Sequence, residues 1–215
     1  MKQALHTVAR TFREIGRDFH TRGWVLGTSG NFSAVMSRQP LKLAITASSV
    51  SKDAIQSSDV LVIGAGGTPV GTTRGRSGGR PSAETFLHLA VARTRGAGAV
   101  LHTHSVWSTM LSELHGVDGG LKLSGFEMLK GLEGVRTHQH TEWIPIFDND
   151  QNIPALALRV EAMLKRSPAV HGFLLRGHGL YTWGGDLAQA RRHVEIFEFL
   201  LETTARLQAA GVRTT

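Results

Sequence analysis

The sequence predicts an α/β fold whose sheet is not purely parallel. Apolar segments of strand length alternate with segments in which apolar residues recur at helical spacing. The glycine-rich residues 64–67 are typical of a hairpin tip, so some neighbouring strands are expected to be antiparallel. A chain of 215 residues with 41% hydrophobic content can bury one large core. Because the sequence shows no internal repeat or linker, we expect a single domain over residues 1–215.

The N-terminal helix has the clearest periodicity. Its apolar residues recur every three or four positions from Leu5 to Phe19, and Gly23 is expected to end it. The next expected elements are strands over residues 32–36, 41–46 and 59–64, followed by a turn over 68–72 that leads into a further short strand. A helix is then expected to begin at residues 81–84 with Ser82 as its cap, and a strand is expected before His102. The remaining ones are helices over residues 107–112 and 126–132, a strand over 143–147, a helix over 153–165, a strand over 170–175, a glycine-flanked turn over 176–184 and a last helix from about Asp186.

The charge balance indicates an anionic partner. The chain has 24 Lys and Arg against 17 Asp and Glu, and this net charge of +7 suits nucleic acid or an anionic small molecule. The densest basic stretch, residues 74–80, lacks aromatic residues that could stack on bases. We interpret it as a flexible loop and expect no nucleic-acid partner. Residues 64–67 do not form a dinucleotide fingerprint, because Pro69 stands where a third glycine is needed.

The absence of cysteine limits the possible metal chemistry. Histidine and carboxylate side chains are the strong metal ligands that remain. The N-terminus has no apolar signal core, and no apolar run reaches transmembrane length. We therefore expect a soluble, cytoplasmic protein without a membrane partner.

Two histidines at the end of a buried strand are the strongest functional signal. Residues 99–101 are apolar, and His102 and His104 follow with one residue between them. In an extended segment, residues two apart point to the same face, so both imidazoles can reach one metal ion. Because the chain contains 11 histidines, such a pair can also arise by chance on a surface. A metal site therefore requires a third ligand.

Small residues and two glutamates mark further candidate positions. Residues 27–31 form a turn whose backbone N–H groups could approach an anion, although an ordinary turn has the same composition. Glu84 opens a helix, where it is either a solvated acid favoured by the helix dipole or a carboxylate directed at a metal. Glu127 lies in a short helical segment, and such a glutamate usually faces solvent. If substrate closes the site over Glu127, desolvation would raise its pKa and make it an acid.

Four of these motifs occur together in the order typical of one family. The turn at residues 27–31, residues 81–84, the pair His102 and His104, and His178 between two glycines together resemble the class II aldolase and adducin-like family. The resemblance covers nearly the whole chain. It implies a three-layer α/β/α fold with a mixed, largely antiparallel central sheet. It also implies a homotetramer with sites near its subunit contacts.

The resemblance further implies roles for individual residues. The family's ligands for one Zn²⁺ per subunit match His102, His104 and His178. Its phosphate-binding positions match Ser29, Gly30, Asn31, Thr46, Ala47 and Ser82. Ala83 stands where the aldolases have serine, so that hydroxyl contact is missing. Glu84 matches the catalytic glutamate of the aldolases and Glu127 matches the acid/base glutamate of the dehydratases, so two carboxylates compete for one role.

Residues 126–132 and 144–149 are most similar to the dehydratase branch of the family. That similarity implies a zinc-dependent lyase of methionine salvage, which dehydrates the small sugar phosphate 5-methylthioribulose 1-phosphate. An aldolase or epimerase of the fuculose-phosphate or ribulose-phosphate type is the alternative enzyme, because one zinc-stabilised enolate serves all three reactions. A non-catalytic assembly module of the adducin type is a third possibility. Three histidines together with both glutamates count against that module.

Overall fold

Eight strands form one sheet in the computed structural model, which describes residues 2–70 and 79–212. The strands are β1 (Asn31–Arg38), β2 (Leu41–Thr46), β3 (Val60–Gly64), β4 (Ala99–Thr103), β5 (Gly120–Ser124), β6 (Thr141–Phe147), β7 (Gly172–Leu175) and β8 (Gly179–Gly184). The α-helices are α1 (Lys2–Thr21), α2 (Thr85–Arg95), α3 (Val106–Leu114), α4 (Ile153–Arg166) and α5 (Leu187–Ala209), and 3-10 helices span Lys52–Ala54, Ser57–Asp59 and Glu127–Gly131. None of these helices is long and apolar enough to cross a membrane.

The strand order across the sheet is β3-β2-β1-β4-β8-β7-β6-β5. Among these strands, β6 and β7 form a parallel pair, and every other neighbouring pair is antiparallel. The predicted mixed, largely antiparallel sheet is therefore confirmed. β4 lies in the interior of the sheet, with β1 on one side and β8 on the other.

Alternating side chains of β4 face two layers of helices. Val100 packs with apolar residues of α2 and α4, whereas Ala99 and Leu101 pack with those of α1 and α5. Helix α3 packs against α5. The predicted three-layer α/β/α architecture is confirmed. By the same alternation, His102 faces the layer of α2.

Two strands differ from the sequence prediction. The prediction lacks β5, and it treats residues 176–184 as a turn, whereas the strand β8 begins at Gly179. Both strands start with glycine, which is depleted in strands and obscures their pattern. Here close packing requires the glycines. A Cβ on Gly120 would lie 2.1 Å from the ring of Trp143, and one on Gly179 would lie 2.0 Å from the carbonyl oxygen of Thr103.

The region around the hairpin and α2 also differs in detail. Pro69 forms an isolated bridge with Ile63. The further short strand expected after this turn falls in residues 71–78, outside the described residues, and stays a prediction. Helix α2 begins at Thr85, so residues 81–84 precede it. The predicted cap Ser82 is wrong, because Glu84 holds the N-cap position. The hydroxyl of Ser82 instead accepts the backbone N–H of Glu84 before the helix. The predicted basic loop lies mostly in residues 71–78, which are outside the described residues, so it stays a prediction.

Replacing Gly179 with alanine is expected to destabilise the protein. The added methyl group would meet the backbone of β4, so the two strands would have to separate. We expect a cost of roughly 1–3 kcal/mol, which in a chain of this size lowers Tm by about 2–4 °C per kcal/mol. Calorimetry measures the shift. Gly66→Ala is the matched control, because no atom lies within 4 Å of its added Cβ. Equal Tm values for the two variants would contradict the predicted clash.

Candidate metal centre and active site

Three histidine side chains converge beyond the end of β4. The Nε2 atom of His104 lies 2.7 Å from that of His102 and 3.0 Å from that of His178. The Nε2 atoms of His102 and His178 are 3.3 Å apart. The structure thus brings the three residues of the predicted metal site to one point.

The pairing of β4 with β8 creates this cluster. His102 lies in β4, His104 lies just beyond it, and His178 lies in the tight turn from β7 into β8. Because β4 and β8 are antiparallel, the end of one lies against the start of the other. Thr109 of α3 fixes the turn, since its hydroxyl donates to the carbonyl oxygen of His178 at 3.0 Å.

Burial keeps the three imidazoles neutral. It lowers the pKa of His104 to about 3, and it also lowers the pKa values of His102 and His178. Nδ1–H of His102 donates to the carbonyl oxygen of Leu180 at 2.9 Å. That bond leaves the Nε2 lone pair directed at the other two histidines.

A divalent metal ion fits the donor set. Ligand nitrogens bound at about 2.0–2.1 Å to a tetrahedral ion lie about 3.3 Å from one another. The two separations from His178, 3.0 and 3.3 Å, are close to this value, and the separation of 2.7 Å between His102 and His104 is shorter. Facing lone pairs repel unless a cation lies between them. Neutral nitrogen ligands would leave the ion its full charge, and the chain has no thiolate to compete with them.

Glu84 lies beside the three histidines. Its carboxylate oxygens are 3.3 Å from Nε2 of His178 and 3.5 Å from Nε2 of His102. The side-chain amide of Asn31 donates to Glu84 at 2.5 Å and to the hydroxyl of Ser82 at 3.1 Å. The carboxylate is therefore fixed next to the candidate metal position. Of the two predicted glutamates, Glu84 is the one that this chain places there.

A buried histidine that sequence reasoning missed holds Asn31 in turn. Because the amide nitrogen of Asn31 faces Glu84, its oxygen is the acceptor for Nε2–H of His88. Nδ1 of His88 then accepts the hydroxyl hydrogen of Ser33 at 2.7 Å. Burial lowers the pKa of His88 to about 3, so the ring stays neutral. The one sequence signal for His88 is its place one helical turn after Glu84.

A cavity of about 280 Å³ opens beside the histidines. Its lining contains most of the predicted phosphate positions, namely Ser29, Gly30, Asn31, Ala47 and Ser82, together with His104 and His178. Ser48 and Ser49, which the predicted set lacks, add two hydroxyl groups. A small cavity lined by hydroxyls and loop backbone suits a phosphate group.

The side chain of Thr46 departs from the predicted phosphate role. It is fully buried, and its hydroxyl accepts the backbone N–H of Phe32 at 3.1 Å. The bond ties β2 to β1, so this hydroxyl is not directed into the cavity. Asn31 lines the cavity, but its amide is already bonded to Ser82, Glu84 and His88.

Gly30 lets the turn approach the metal ligands closely. Its φ of +72° lies in the left-handed region, and a Cβ would sit 2.6 Å from the carbonyl oxygen of His102. A side chain at this position would push the turn and the strand apart. The cavity and the metal ligands thus share a wall of backbone atoms.

The buried cation Lys52, which was also missed, supports this turn from behind. Its ammonium donates to the carbonyl oxygens of Thr28 at 3.0 Å and Val50 at 2.5 Å. Burial lowers the pKa of Lys52 to about 8, against the opposing effect of the Glu84 carboxylate. A single lysine in a polar loop gives no sequence signal for such a position.

In the single chain, Glu127 lies apart from the cavity lining. Its side chain is 70% exposed, it pairs with Lys130, and it lies 3.7 Å from Nδ1 of His138. The hydrogen bond from Lys130 lowers the pKa of Glu127. The raised pKa was predicted for Glu127 in a site closed by substrate. In the isolated chain, Glu127 does not have that raised pKa.

Asn149 is a further residue that sequence reasoning did not assign to the site. Its side-chain oxygen accepts Nδ1–H of His178 at 3.3 Å, which directs Nε2 of that ring at the other histidines. Asn149 and Gln151 also line the cavity. Resemblance alone pointed to residues 144–149, because the sequence of a polar loop after a strand does not indicate that it contacts a distant histidine.

The fold and the histidine cluster define an α/β/α protein with a candidate three-histidine metal site. The family model described as Class II Aldolase and Adducin N-terminal domain matches residues 10–205. The chain therefore belongs to the class II aldolase and adducin family.

Similar proteins extend over nearly the whole chain. The methylthioribulose-1-phosphate dehydratase of Sorangium cellulosum is 45% identical over 197 residues, which are 91% of this chain and 90% of that protein. The protein of the same name from Methylococcus capsulatus is 43% identical over 202 residues, 94% of each chain. The solved structure of L-fuculose-1-phosphate aldolase from Thermus thermophilus has a TM-score of 0.74 at 24% identity and covers 98% of each chain. That structure shares the fold.

Replacing His102, His104 or His178 with alanine is expected to lower bound metal and activity together. Each change removes one of three nitrogen donors, and two donors hold a divalent ion far less tightly. Metal content after dialysis is measured by mass spectrometry, and activity is measured on the same samples. His6→Ala is the control, because His6 is exposed on α1. Wild-type metal content in His178→Ala would contradict the assignment.

Proposed function

We propose that this chain is a metal-dependent lyase that dehydrates 5-methylthioribulose 1-phosphate to 2,3-diketo-5-methylthiopentyl 1-phosphate in methionine salvage. The observation that carries the proposal is a three-histidine cluster in a chain that is 45% identical to a methylthioribulose-1-phosphate dehydratase. The histidines and the fixed carboxylate of Glu84 also argue against a non-catalytic assembly module, which would need neither.

Zinc is the proposed metal, with one ion per chain bound by His102, His104 and His178. Three protein ligands with an open position are typical of catalytic zinc. When bound, the ion supplies a Lewis acid for the ketone oxygen, which makes the neighbouring C–H more acidic. To bind the ion, the histidines must stay neutral and correctly oriented. Their burial and the hydrogen bond from His102 to Leu180 support both conditions.

The substrate phosphate is proposed to bind in the cavity formed by residues 28–31, 47–49 and 82. Hydroxyl groups of Ser29, Ser48 and Ser49 are suited to donate to it, and Lys52 contributes a positive charge behind the turn. Holding this end of the substrate fixes the orientation of the reacting carbons at the other end. The binding energy of the phosphate thereby contributes to turnover.

We assign the acid/base role to Glu127 and a positioning role to Glu84. Loss of water requires a proton to leave the carbon beside the ketone and a proton to reach the departing hydroxyl. The Lys130 contact lowers the pKa of Glu127, so this side chain is a carboxylate in the isolated chain, which is the form that can accept the first proton. Once protonated, it can give that proton to the departing hydroxyl. This role requires Glu127 to approach the cavity when substrate binds or subunits assemble. Glu84 orients groups at the metal.

We further propose a single-domain chain that forms a cytoplasmic homotetramer. Val106, Met110 and Leu114 lie at intervals of four on α3 and are 61%, 43% and 63% exposed. An apolar line of this kind is typical of a subunit contact. Because α3 follows directly after His104, such a contact would put the site near a neighbouring subunit.

The reaction is tested by offering the purified protein three substrates separately. With 5-methylthioribulose 1-phosphate we expect loss of one water, identified by mass spectrometry. We expect no reaction with fuculose 1-phosphate or ribulose 5-phosphate. Protein stripped by a chelator should be inactive until Zn²⁺ is restored. Cleavage of fuculose 1-phosphate or epimerisation of ribulose 5-phosphate would instead support the aldolase or epimerase alternative.

A pair of variants tests the roles of the two glutamates. Glu127→Gln keeps the shape but cannot carry a proton, so it should retain metal and substrate binding and lose roughly two to four orders of magnitude in turnover. Glu84→Gln should affect turnover less and metal content or substrate affinity more. Metal content, substrate binding and single-turnover rate are compared, with Glu14→Gln on the exposed face of α1 as control. A near-normal rate in Glu127→Gln with a collapsed rate in Glu84→Gln would transfer the acid/base role to Glu84.

A further inference from the structure

A second cluster of possible metal ligands lies away from the first site. It consists of His140, Glu142 and His171, whose candidate ligand atoms all lie within 4.8 Å of one another. Glu142 is near the start of β6, His140 lies two residues before it, and His171 lies just before β7. Because β6 and β7 are parallel, their starts lie at one edge of the sheet. His178 follows the other end of β7, so the two clusters lie at opposite ends of that strand.

The three side chains meet at one carboxylate oxygen. Nε2 of His140 lies 2.9 Å from Oε2 of Glu142, and Nδ1 of His171 lies 3.0 Å from the same oxygen. The other oxygen, Oε1, accepts the backbone N–H of His171 at 2.9 Å. Glu142 is only 1% exposed, so its charge requires positive partners within the protein, and the guanidinium of Arg95 is one that interacts with it.

The hydrogen bond made by Nε2 of His171 determines whether Nδ1 of the neutral ring presents a lone pair or a proton to the Glu142 carboxylate. Nε2 of His171 lies 2.8 Å from the backbone carbonyl oxygen of Glu133, which can only accept, so this nitrogen carries the proton. In a neutral ring, Nδ1 then presents a lone pair to Glu142. A lone pair and a carboxylate oxygen 3.0 Å apart repel each other unless a cation binds both. The cation is either a proton on Nδ1 or a metal ion.

The support around the cluster resembles that of a metal ligand shell. A backbone carbonyl that fixes the tautomer of a histidine is a common outer contact of metal-binding imidazoles. The backbone N–H of Glu133 donates to Nε2 of His193 at 3.2 Å, which anchors the chain next to this carbonyl. His140 and His171 line a cavity of about 940 Å³, which has room for a water or an anion as a further ligand.

We propose that His140, Glu142 and His171 form a second divalent-cation site of this protein, suited to Zn²⁺. Two imidazole nitrogens and one carboxylate are a common zinc donor set, and the open cavity can supply the fourth ligand. The site joins the loop before β6 to the start of β7. Its occupancy therefore restrains the end of β7 that is opposite to the His178 turn.

Four proteins distinguish this site from the first one: the wild type, His140→Ala, His178→Ala and the double variant. Each is equilibrated with excess Zn²⁺ at mildly alkaline pH, dialysed against a low constant zinc concentration and analysed for metal by mass spectrometry. We expect about two zinc ions per chain in the wild type, about one in each single variant and close to none in the double variant. His140→Ala should retain catalytic activity, because its remaining zinc is at the first site.

The controls separate loss of ligands from loss of structure. His138→Ala changes an exposed histidine of the same loop and should bind as much zinc as the wild type. Glu142→Gln keeps the shape of the carboxylate, and circular dichroism confirms its fold, so its expected loss of about one zinc ion reports the ligand itself. Two results would overturn the second site. One is that the wild type binds only the zinc ion that His178→Ala removes. The other is that His140→Ala and Glu142→Gln both keep the zinc content of the wild type. Neither result depends on which substrate the enzyme uses.

Discussion

The antiparallel pairing of β4 with β8 is the interaction on which the metal centre depends. Thr103 lies opposite Leu180, so the residues that leave β4 and those that enter β8 share one edge of the sheet. This register brings His102 within 3.3 Å of His178. On the opposite face, the buried Glu198 of α5 accepts the hydroxyl of Thr103 at 2.7 Å and anchors the strand end. A slip of one residue would turn His102 toward that face and remove it from the site.

The charges around the centre are few and opposed. The imidazoles of His102, His104 and His178 are neutral because burial disfavours their protonated forms, and the same holds for His88. Among the described residues that line the cavity, Glu84 is the charged side chain, and the buried ammonium of Lys52 behind the turn offsets its charge. A bound divalent ion would therefore leave an excess positive charge close in size to that of a phosphate dianion, about −2. A bound metal would therefore strengthen the attraction of the site for an anionic substrate.

The sequence was most informative where spacing determines geometry. His102 and His104 are two apart at a strand end, and that alternation alone brings them to one face. His178 came from resemblance, because no local pattern shows which turn β4 will meet. Lys52 gave no signal, and His88 gave only its place one helical turn after Glu84, since a buried histidine on a helix and a lysine in a loop gain their roles from packing. β8 was obscured for a related reason: Gly179 weakens the strand pattern, yet the approach of Thr103 requires it.

The shared wall between the cavity and the metal ligands has a consequence for specificity. The backbone of Gly30 packs against the carbonyl oxygen of His102, so backbone atoms set the closest approach of the anion turn to β4. Ala83, Gln151 and Ile153 line the cavity but take no part in that backbone contact, so substitutions there are expected to leave the proposed metal-to-phosphate distance unchanged. Substitutions at such positions would instead alter the shape of the cavity around the substrate. This separation of a constant anchor from variable surroundings is a physical reason why one fold serves both aldolases and dehydratases.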